Sequence, residues 1–216
     1  MTLLDTVLDL FFPTKCVFCH KLTQTGETVC KACAKNLPFV SKELQQQSFP
    51  HIPVCVSPLF YEGVVRESLL RYKFSGASCY AKTYGDFLRK CIDENGISCD
   101  IITWVPLSRL RLRKRGYDQA RLLAQQLAIR SNIPCLRLLK KTRNTSAQSL
   151  AGGAANRKQN ISRAYAALDQ KSIKGKKILL VDDIVTTGST LTECARILSG
   201  AGASSVSAVT LARHRP

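Results

Sequence analysis

The chain alternates short, wholly apolar runs with stretches in which apolar residues recur every three or four positions. The clearest run is residues 178–181 (Ile-Leu-Leu-Val), and a second lies within residues 100–108 and ends at Pro106. Runs of this kind are typical of strands buried on both faces of a parallel sheet. Helical spacing follows the first run at residues 191–198. The alternation predicts an α/β fold with a mainly parallel sheet, in which residues 178–181 form an internal strand.

Weaker patterns predict the remaining elements and the domain organisation. Strands are predicted at residues 54–61, 135–139, 163–168 and 204–211, and helices at residues 64–72, 82–91 and 122–127. Residues 41–53 are polar, with three consecutive glutamines and two prolines, which is typical of a linker. We therefore place a domain boundary near Pro50, with a small module and linker in residues 1–50 and the main domain in residues 51–216.

Composition excludes several classes of protein. The 216 residues are 45% hydrophobic, which is enough for a packed core and is not typical of a disordered chain. No apolar run approaches the roughly 18 residues that span a bilayer. Residues 1–12 have no basic start and carry Asp5 and Asp9, unlike a secretory signal. We expect a cytoplasmic protein without an integral membrane segment.

The chain is strongly basic. It has 32 Lys and Arg against 15 Asp and Glu, a formal net charge of +17. Such an excess favours a polyanionic partner, either nucleic acid or a phosphorylated small molecule. The basic residues are densest at residues 109–115 and 137–143. Either cluster taken alone fits a solvated charged face equally well.

Four of the ten cysteines form two closely spaced pairs. The pairs Cys16-x-x-Cys19 and Cys30-x-x-Cys33 have the spacing of knuckles that supply four thiolates to a structural zinc ion. Two disulfides are the alternative, but they are less favoured in a chain that shows no secretory signal. The other six cysteines are interpreted as small buried apolar residues.

Two acids and a hydroxyl-rich loop follow the run at residues 178–181. Asp182 and Asp183 are expected at the carboxyl end of the strand, where carboxylates can accept hydrogen bonds from sugar hydroxyls or hold a divalent cation. The loop then supplies backbone amides and hydroxyl groups for a phosphate, from Thr186, Thr187, Gly188, Ser189 and Thr190. A Walker A loop is excluded because no lysine occurs after Lys177, and a response-regulator receiver is excluded for the same reason. A strand followed by a capped helix without a ligand remains an alternative.

The string Val-Asp-Asp-Ile-Val-Thr-Thr-Gly-Ser-Thr resembles the 5-phosphoribosyl-1-pyrophosphate (PRPP) motif of type I phosphoribosyltransferases. The resemblance implies that Asp182 and Asp183 contact the ribose hydroxyls and that residues 186–190 bind the 5-phosphate. It also implies Mg²⁺ as the ion that accompanies PRPP.

A second resemblance covers nearly the whole chain. Trp104-Val-Pro-Leu107, Arg115-Gly-Tyr-Asp-Gln-Ala120 and the four-cysteine element resemble the ComF family of competence-associated, phosphoribosyltransferase-like proteins, in which asparagine usually stands at position 118. The resemblance implies that Val105, Pro106, Leu107 and Ser108 form a pyrophosphate-facing loop, with Arg109 or Arg115 within reach of the diphosphate. It also implies that residues 140–157 form a mobile loop that closes over the site.

Two functions follow from these resemblances. The first is an enzyme that binds Mg-PRPP and transfers the phosphoribosyl group with release of pyrophosphate. The second is an adaptor that binds single-stranded DNA during DNA uptake, with other competence or DNA-processing proteins as partners. Only five residues follow Leu211, so we expect no carboxyl-terminal hood for a base, and the acceptor pocket is expected from the region before Asp100, near Tyr61 or Tyr72.

Overall fold

A six-stranded sheet lies at the centre of the computed structural model, which describes residues 14–142 and 164–215. Among these residues the strands are β1 (Gln46–Phe49), β2 (Ile52–Val56), β3 (Leu59–Phe60), β4 (Ile101–Trp104), β5 (Leu139–Lys141), β6 (Tyr165–Ala167), β7 (Lys177–Val185) and β8 (Ser205–Arg213). The order in the main sheet is β1-β2-β8-β7-β4, and β3 also pairs with β8. Every pair in this sheet is parallel except β1 with β2. The predicted mainly parallel α/β fold and the internal position of β7 are therefore confirmed.

The helices cover both faces of this sheet. They are α1 (Lys31–Asn36), α2 (Lys42–Gln45), α3 (Gly63–Phe74), α4 (Tyr80–Glu94), α5 (Arg109–Arg115), α6 (Gln119–Ser131), α7 (Gln170–Ile173) and α8 (Ser189–Gly200). Alternate residues of a strand point to opposite faces, so the side chains of β7 pack into two separate hydrophobic cores. Leu179 packs into the core that contains α3, α4 and α6, and Leu180 packs into the core that contains α8. Burial on both faces explains why residues 178–181 are uniformly apolar.

Strand β7 is longer than its apolar run. Its pairing with β4 ends at Trp104 and Val181, whereas its pairing with β8 continues to Val185. Asp182 and Asp183 therefore lie in the carboxyl-terminal part of the strand, which continues for two residues beyond them. They occupy the segment of β7 beyond the end of β4, where the neighbouring chain turns away. The sheet thus opens beside the two acids.

Two predicted elements are wrong. Residues 135–139 were expected to be a third sheet strand, but the main sheet gains only an isolated bridge between Ile102 and Cys135. Strand β5 begins at Leu139 and pairs with β6 in a separate antiparallel sheet. Residues 41–53 are not a linker, because they contain α2 and β1, and β1 extends the main sheet. Polar composition did not reveal an edge strand whose side chains are only partly buried.

The chain before α3 packs directly on the rest of the molecule. Phe18 and Leu37 belong to the same core as Tyr84 and Leu88 of α4. The division into residues 1–50 and 51–216 stays a prediction. No helix among the described residues is long and apolar enough to cross a membrane.

Candidate functional site

A cavity of about 160 Å³ opens where β4 ends beside β7. Its walls come from five segments of the chain that are distant in sequence. The lining residues are Lys73, Val105, Pro106, Leu107, Arg111, Arg115, Gln119, Ala120, Lys141, Tyr165, Asp182, Asp183 and Thr190. The cavity therefore brings two carboxylates together with four basic side chains.

The acid pair forms one wall of the cavity. The Asp183 amide donates to Asp182 Oδ1 at 2.8 Å, and Lys73 Nζ lies 3.0 Å from Asp183 Oδ1. Asp183 is only 9% exposed, so this ion pair is held away from bulk water. Burial and then the charge of Asp183 raise the pKa of Asp182 to about 8. A hydroxyl donor or a cation at Asp182 would therefore compensate a charge that the protein alone leaves poorly solvated.

The predicted pyrophosphate-facing loop follows β4 and begins beside the acid pair, where the Val105 amide donates to the Val181 carbonyl at 3.0 Å. Val105, Pro106 and Leu107 line the cavity, whereas Ser108 is buried and accepts a hydrogen bond from the Arg111 amide as the cap of α5. Helix α5, with its five basic residues, begins directly after this cap. The cap therefore fixes where the loop after β4 ends and where the basic helix starts.

Of the two arginines proposed for the diphosphate, Arg115 lines the cavity, whereas Arg109 is exposed outside the lining. Arg111 occupies the cavity instead, because Arg111 and Arg115 are four residues apart and share one face of α5. Arg115 Nη1 donates to Gln119 Oε1 at 2.9 Å, and its guanidinium carbon lies 4.9 Å from the Phe74 ring centroid. The guanidinium group is therefore held in place by two neighbours.

The predicted phosphate loop leads into the twelve-residue helix α8. Gly188 is the N-cap with φ of +70°, and a Cβ there would lie 2.4 Å from the Phe49 ring, so only glycine fits. Thr187 Oγ1 lies 2.8 Å from Ser189 Oγ, and Thr190 lines the cavity. Thr186 and Thr187 are exposed just before the helix. The first amides of α8 have no intrahelical acceptor, which makes this end suitable for an anion.

Sequence reasoning did not assign five of the polar cavity residues: Lys73, Arg111, Gln119, Lys141 and Tyr165. Lys73 comes from the last turn of α3, and Lys141 Nζ donates to the Tyr165 hydroxyl at 3.1 Å across the β5–β6 pair. Gln119 lies within the segment Arg115-Gly-Tyr-Asp-Gln-Ala120 that carries the ComF resemblance, which is the signal that could have identified it. Lys141 carried no comparable signal.

Asp118 stands where the resembled family usually has asparagine. Its Oδ2 accepts from the Leu107 amide at 3.1 Å, and its Oδ1 accepts from the Arg121 amide at 3.2 Å as the N-cap of α6. Both contacts need acceptors, and a carboxylate has two. The departure therefore keeps the cavity loop tied to α6.

The two tyrosines suggested for an acceptor pocket lie elsewhere. Tyr72 is fully buried and its hydroxyl donates to the Gln119 carbonyl at 2.9 Å. The ring of Tyr61 packs 5.2 Å from the ring of His214. Neither belongs to the cavity lining. Most of the proposed closing loop at residues 140–157 lies outside the described residues.

The four paired cysteines converge on one point. The Sγ atoms of Cys16, Cys19, Cys30 and Cys33 all lie within 4.8 Å of one another, and those of Cys19 and Cys30 are 3.6 Å apart. A tetrahedral zinc ion with bonds of 2.3 Å requires sulfur separations of about 3.8 Å. The Cys30 amide also donates to Cys16 Sγ at 3.4 Å, as expected for a thiolate. The cluster fits a structural zinc ion.

Two family models match this chain, one over the cysteine module and one over the carboxyl-terminal part of the sheet domain. Residues 7–45 match the family model of the double zinc ribbon domain, and residues 112–216 match that of the phosphoribosyl transferase domain. Among solved structures, adenine phosphoribosyltransferase from Thermoanaerobacter pseudethanolicus aligns at 16% identity with a TM-score of 0.41, covering 79% of this chain and 96% of that chain.

Curated relatives align over most of the chain. Competence protein F of Haemophilus influenzae is 28% identical, with 94% of this chain and 98% of the relative covered. DNA utilization protein YhgH of Escherichia coli is 30% identical, with 92% and 89% covered. Competence protein ComFC of Bacillus subtilis is 30% identical, but the chain spans only 61% of its length. Together with the cavity and the cysteine cluster, these matches show that the chain belongs to the ComF family of competence proteins, with a phosphoribosyltransferase-type domain and a zinc ribbon.

Proposed function

We propose that the cavity binds PRPP with Mg²⁺ and that the protein transfers the phosphoribosyl group with release of pyrophosphate. One observation carries the proposal. The cavity is lined by the Asp182–Asp183 pair of β7, by Thr190 in the first turn of α8 and by four basic side chains. PRPP carries two ribose hydroxyls, a phosphate and a diphosphate, so each kind of polar group on the ligand has a matching group in the cavity.

Each part of the cavity has a matching role. The carboxylates of Asp182 and Asp183 accept hydrogen bonds from the ribose hydroxyls, and the first turn of α8 with Thr190 donates to the 5-phosphate. Arg111, Arg115 and the neighbouring lysines face the diphosphate. The carboxylates of Asp182 and Asp183 would balance the charge of Mg²⁺, which would in turn compensate the charge of the diphosphate.

The charges of the cavity support an anionic ligand. Burial lowers the pKa of Arg115 and of Lys141, since each positive charge is partly removed from water. An anion placed beside them restores the lost stabilisation of the charged forms. In the transfer reaction, a nucleophilic atom of the acceptor forms a bond to ribose C1, the bond from C1 to the diphosphate oxygen breaks, and the diphosphate leaves with the electron pair. Donors fixed beside that oxygen stabilise the charge that develops on it.

Titration calorimetry with Mg-PRPP tests the binding step. We expect saturable binding of Mg-PRPP and weaker binding of Mg-pyrophosphate or ribose 5-phosphate, because each fragment satisfies only part of the cavity. Equal affinity for Mg-pyrophosphate and Mg-PRPP would show that the acids do not contact ribose. Release of pyrophosphate from PRPP, measured with and without candidate bases or DNA, then tests transfer separately.

A second candidate function is binding of single-stranded DNA by the basic helix α5. None of its residues is buried, and Arg113 and Lys114 are exposed outside the cavity lining. Such a surface can contact the phosphates of a strand, with counterion release as the driving force. Competence and DNA-processing proteins remain proposed partners.

Exchange of both exposed residues tests this surface without altering the cavity. In Arg113→Gln, Lys114→Gln we expect weaker binding of single-stranded DNA and a salt-dependence slope smaller by about 1.4, since each phosphate contact on a single strand contributes about 0.7. The matched control is Lys90→Gln on α4, where the lysine pairs with Glu94 at 3.8 Å. Fluorescence anisotropy at several salt concentrations gives the slopes. Unchanged slope and affinity in the double variant would exclude α5 as the DNA contact.

A further inference from the structure

The first zinc knuckle is inserted into the core beside α3. Val17 and Phe18 lie between the ligand residues Cys16 and Cys19, and Phe18 is fully buried. The Phe18 ring centroid lies 6.0 Å from that of Tyr84 and 5.5 Å from that of Phe87, the latter nearly edge to face. The knuckle therefore contacts α4 through a packed aromatic cluster rather than through solvent.

Hydrogen bonds from α3 hold the backbone of the same knuckle. Arg71 Nη2 donates to the Phe18 carbonyl at 2.5 Å and to the Val17 carbonyl at 3.3 Å, and Ser68 Oγ also donates to the Val17 carbonyl. These two carbonyls belong to the short turn between two thiolate ligands. Their positions are consequently set when the four cysteines gather around one ion.

Lys73, two residues after Arg71 on α3, lines the ligand cavity, and Tyr72 between them contacts a lining residue. Tyr72 packs against Tyr84 with ring centroids 5.3 Å apart, and its hydroxyl donates to the Gln119 carbonyl. Lys73 lines the cavity and forms the 3.0 Å ion pair with Asp183. A continuous set of contacts therefore runs from the zinc knuckle, through the last turns of α3, to the acid pair.

We infer that Arg71 and Ser68 are positioning residues through which the zinc knuckle holds α3 where Lys73 meets Asp183. The zinc ribbon is then a structural part of the cavity, and its metal state and the affinity of the cavity are coupled. The part of the test that measures affinity for Mg-PRPP rests on the proposed function.

The ion pair explains why the position of Lys73 matters. Asp182 and Asp183 are adjacent carboxylates in a poorly hydrated place, and Lys73 is the cation that contacts Asp183 directly. A shift of α3 that moves Lys73 away from Asp183 would leave the two carboxylates together without a cation. Their repulsion favours uptake of a proton, and a protonated carboxyl group is a weaker hydrogen-bond acceptor. Arg71 touches neither acid, so any effect of its replacement must pass through α3.

A double-mutant cycle separates positioning from a general loss of stability. We expect Arg71→Met to keep its zinc content and a cooperative unfolding transition but to bind Mg-PRPP about tenfold more weakly. Lys73→Met is expected to weaken binding by at least as much. Because Arg71 acts through Lys73, the double variant should bind no more weakly than Lys73→Met alone. The matched control is Arg66→Met, an exposed arginine on the same helix.

Hydrogen exchange provides a readout that needs no ligand. In Arg71→Met we expect faster amide exchange in the last turns of α3 than in the wild type, with exchange in the middle of α4 unchanged. Wild-type protection of α3 in this variant, or effects of Arg71→Met and Lys73→Met that simply add, would overturn the inference. Absence of PRPP binding by the wild type would instead overturn the proposed function, and the exchange measurement alone would then decide the inference.

Discussion

Replacement of both Asp182 and Asp183 by asparagine is expected to abolish the stabilisation of the protein by Mg-PRPP. A ligand at about 100 times its Kd stabilises a protein by about 2.7 kcal/mol. For a chain of this size, that corresponds to a rise in Tm of about 5–11 °C. The asparagine pair keeps the shape of the side chains but removes the charges that would balance Mg²⁺ and one of the two acceptor oxygens of each side chain. Differential scanning fluorimetry with and without Mg-PRPP measures the shift.

The single variant Asp182→Asn should stabilise the protein in the absence of ligand. The folded protein raises the pKa of Asp182 through burial and the charge of Asp183. With a folded pKa above the unfolded one, the contribution of this group to stability is fully present below the unfolded pKa and is lost as the pH rises through the folded pKa. We therefore expect Asp182→Asn to raise Tm at pH 8.5, by about 2–4 °C for each kcal/mol of repulsion removed. The gain should disappear near pH 4.

Asp93→Asn is the matched control for both acid variants. Asp93 is an exposed acid on α4 that pairs with Arg89 at 2.8 Å and does not line the cavity. It should show the wild-type response to Mg-PRPP and no pH-dependent gain in Tm. An undiminished PRPP shift in the Asp182→Asn, Asp183→Asn protein would contradict the assignment of the acids to the ligand.

Loss of the zinc ion is expected to cause the second large effect. Replacing Cys16 and Cys33 by serine removes two of four thiolates, and structural zinc sites commonly supply about 10–16 kcal/mol of binding free energy to small modules. The knuckle would then release Phe18 from the core. Removal of a buried phenylalanine from a core costs about 3–5 kcal/mol, which corresponds to a fall in Tm of about 6–20 °C at 2–4 °C per kcal/mol.

The zinc experiment measures metal content and unfolding together. Elemental analysis should find one zinc ion per chain in the wild type and none in Cys16→Ser, Cys33→Ser. The control is Cys79→Ser, because Cys79 is exposed and lies outside the cysteine cluster. Zinc content and Tm of the control should match those of the wild type. A double serine variant that unfolds at the wild-type temperature would show that the ribbon does not contribute to the core.

The elements that the sequence predicted best are those in which the order of apolar and polar residues follows directly from which positions are buried. A strand buried on both faces must be apolar at every position, so residues 178–181 were recognisable without their neighbours. The same holds for α3 and α4, whose predicted cores at residues 64–72 and 82–91 lie within Gly63–Phe74 and Tyr80–Glu94. Edge strand β1 was missed and β5 was misplaced because partial burial leaves no strict pattern, whereas β6 lies within the predicted residues 163–168.

For the candidate site, the sequence by itself determined the groups that are contiguous in the chain. These are the Asp182–Asp183 pair, the glycine-led start of α8, the loop after β4 and the two cysteine pairs, because each depends on a local order of residue types. Only the tertiary structure decided that Arg111 rather than Arg109 faces the cavity, that Lys73 meets Asp183, and that the zinc knuckle supports α3. The physical reason is that these contacts join helices, strands and a metal-binding turn whose relative positions are set by packing of the shared core, which no local pattern contains.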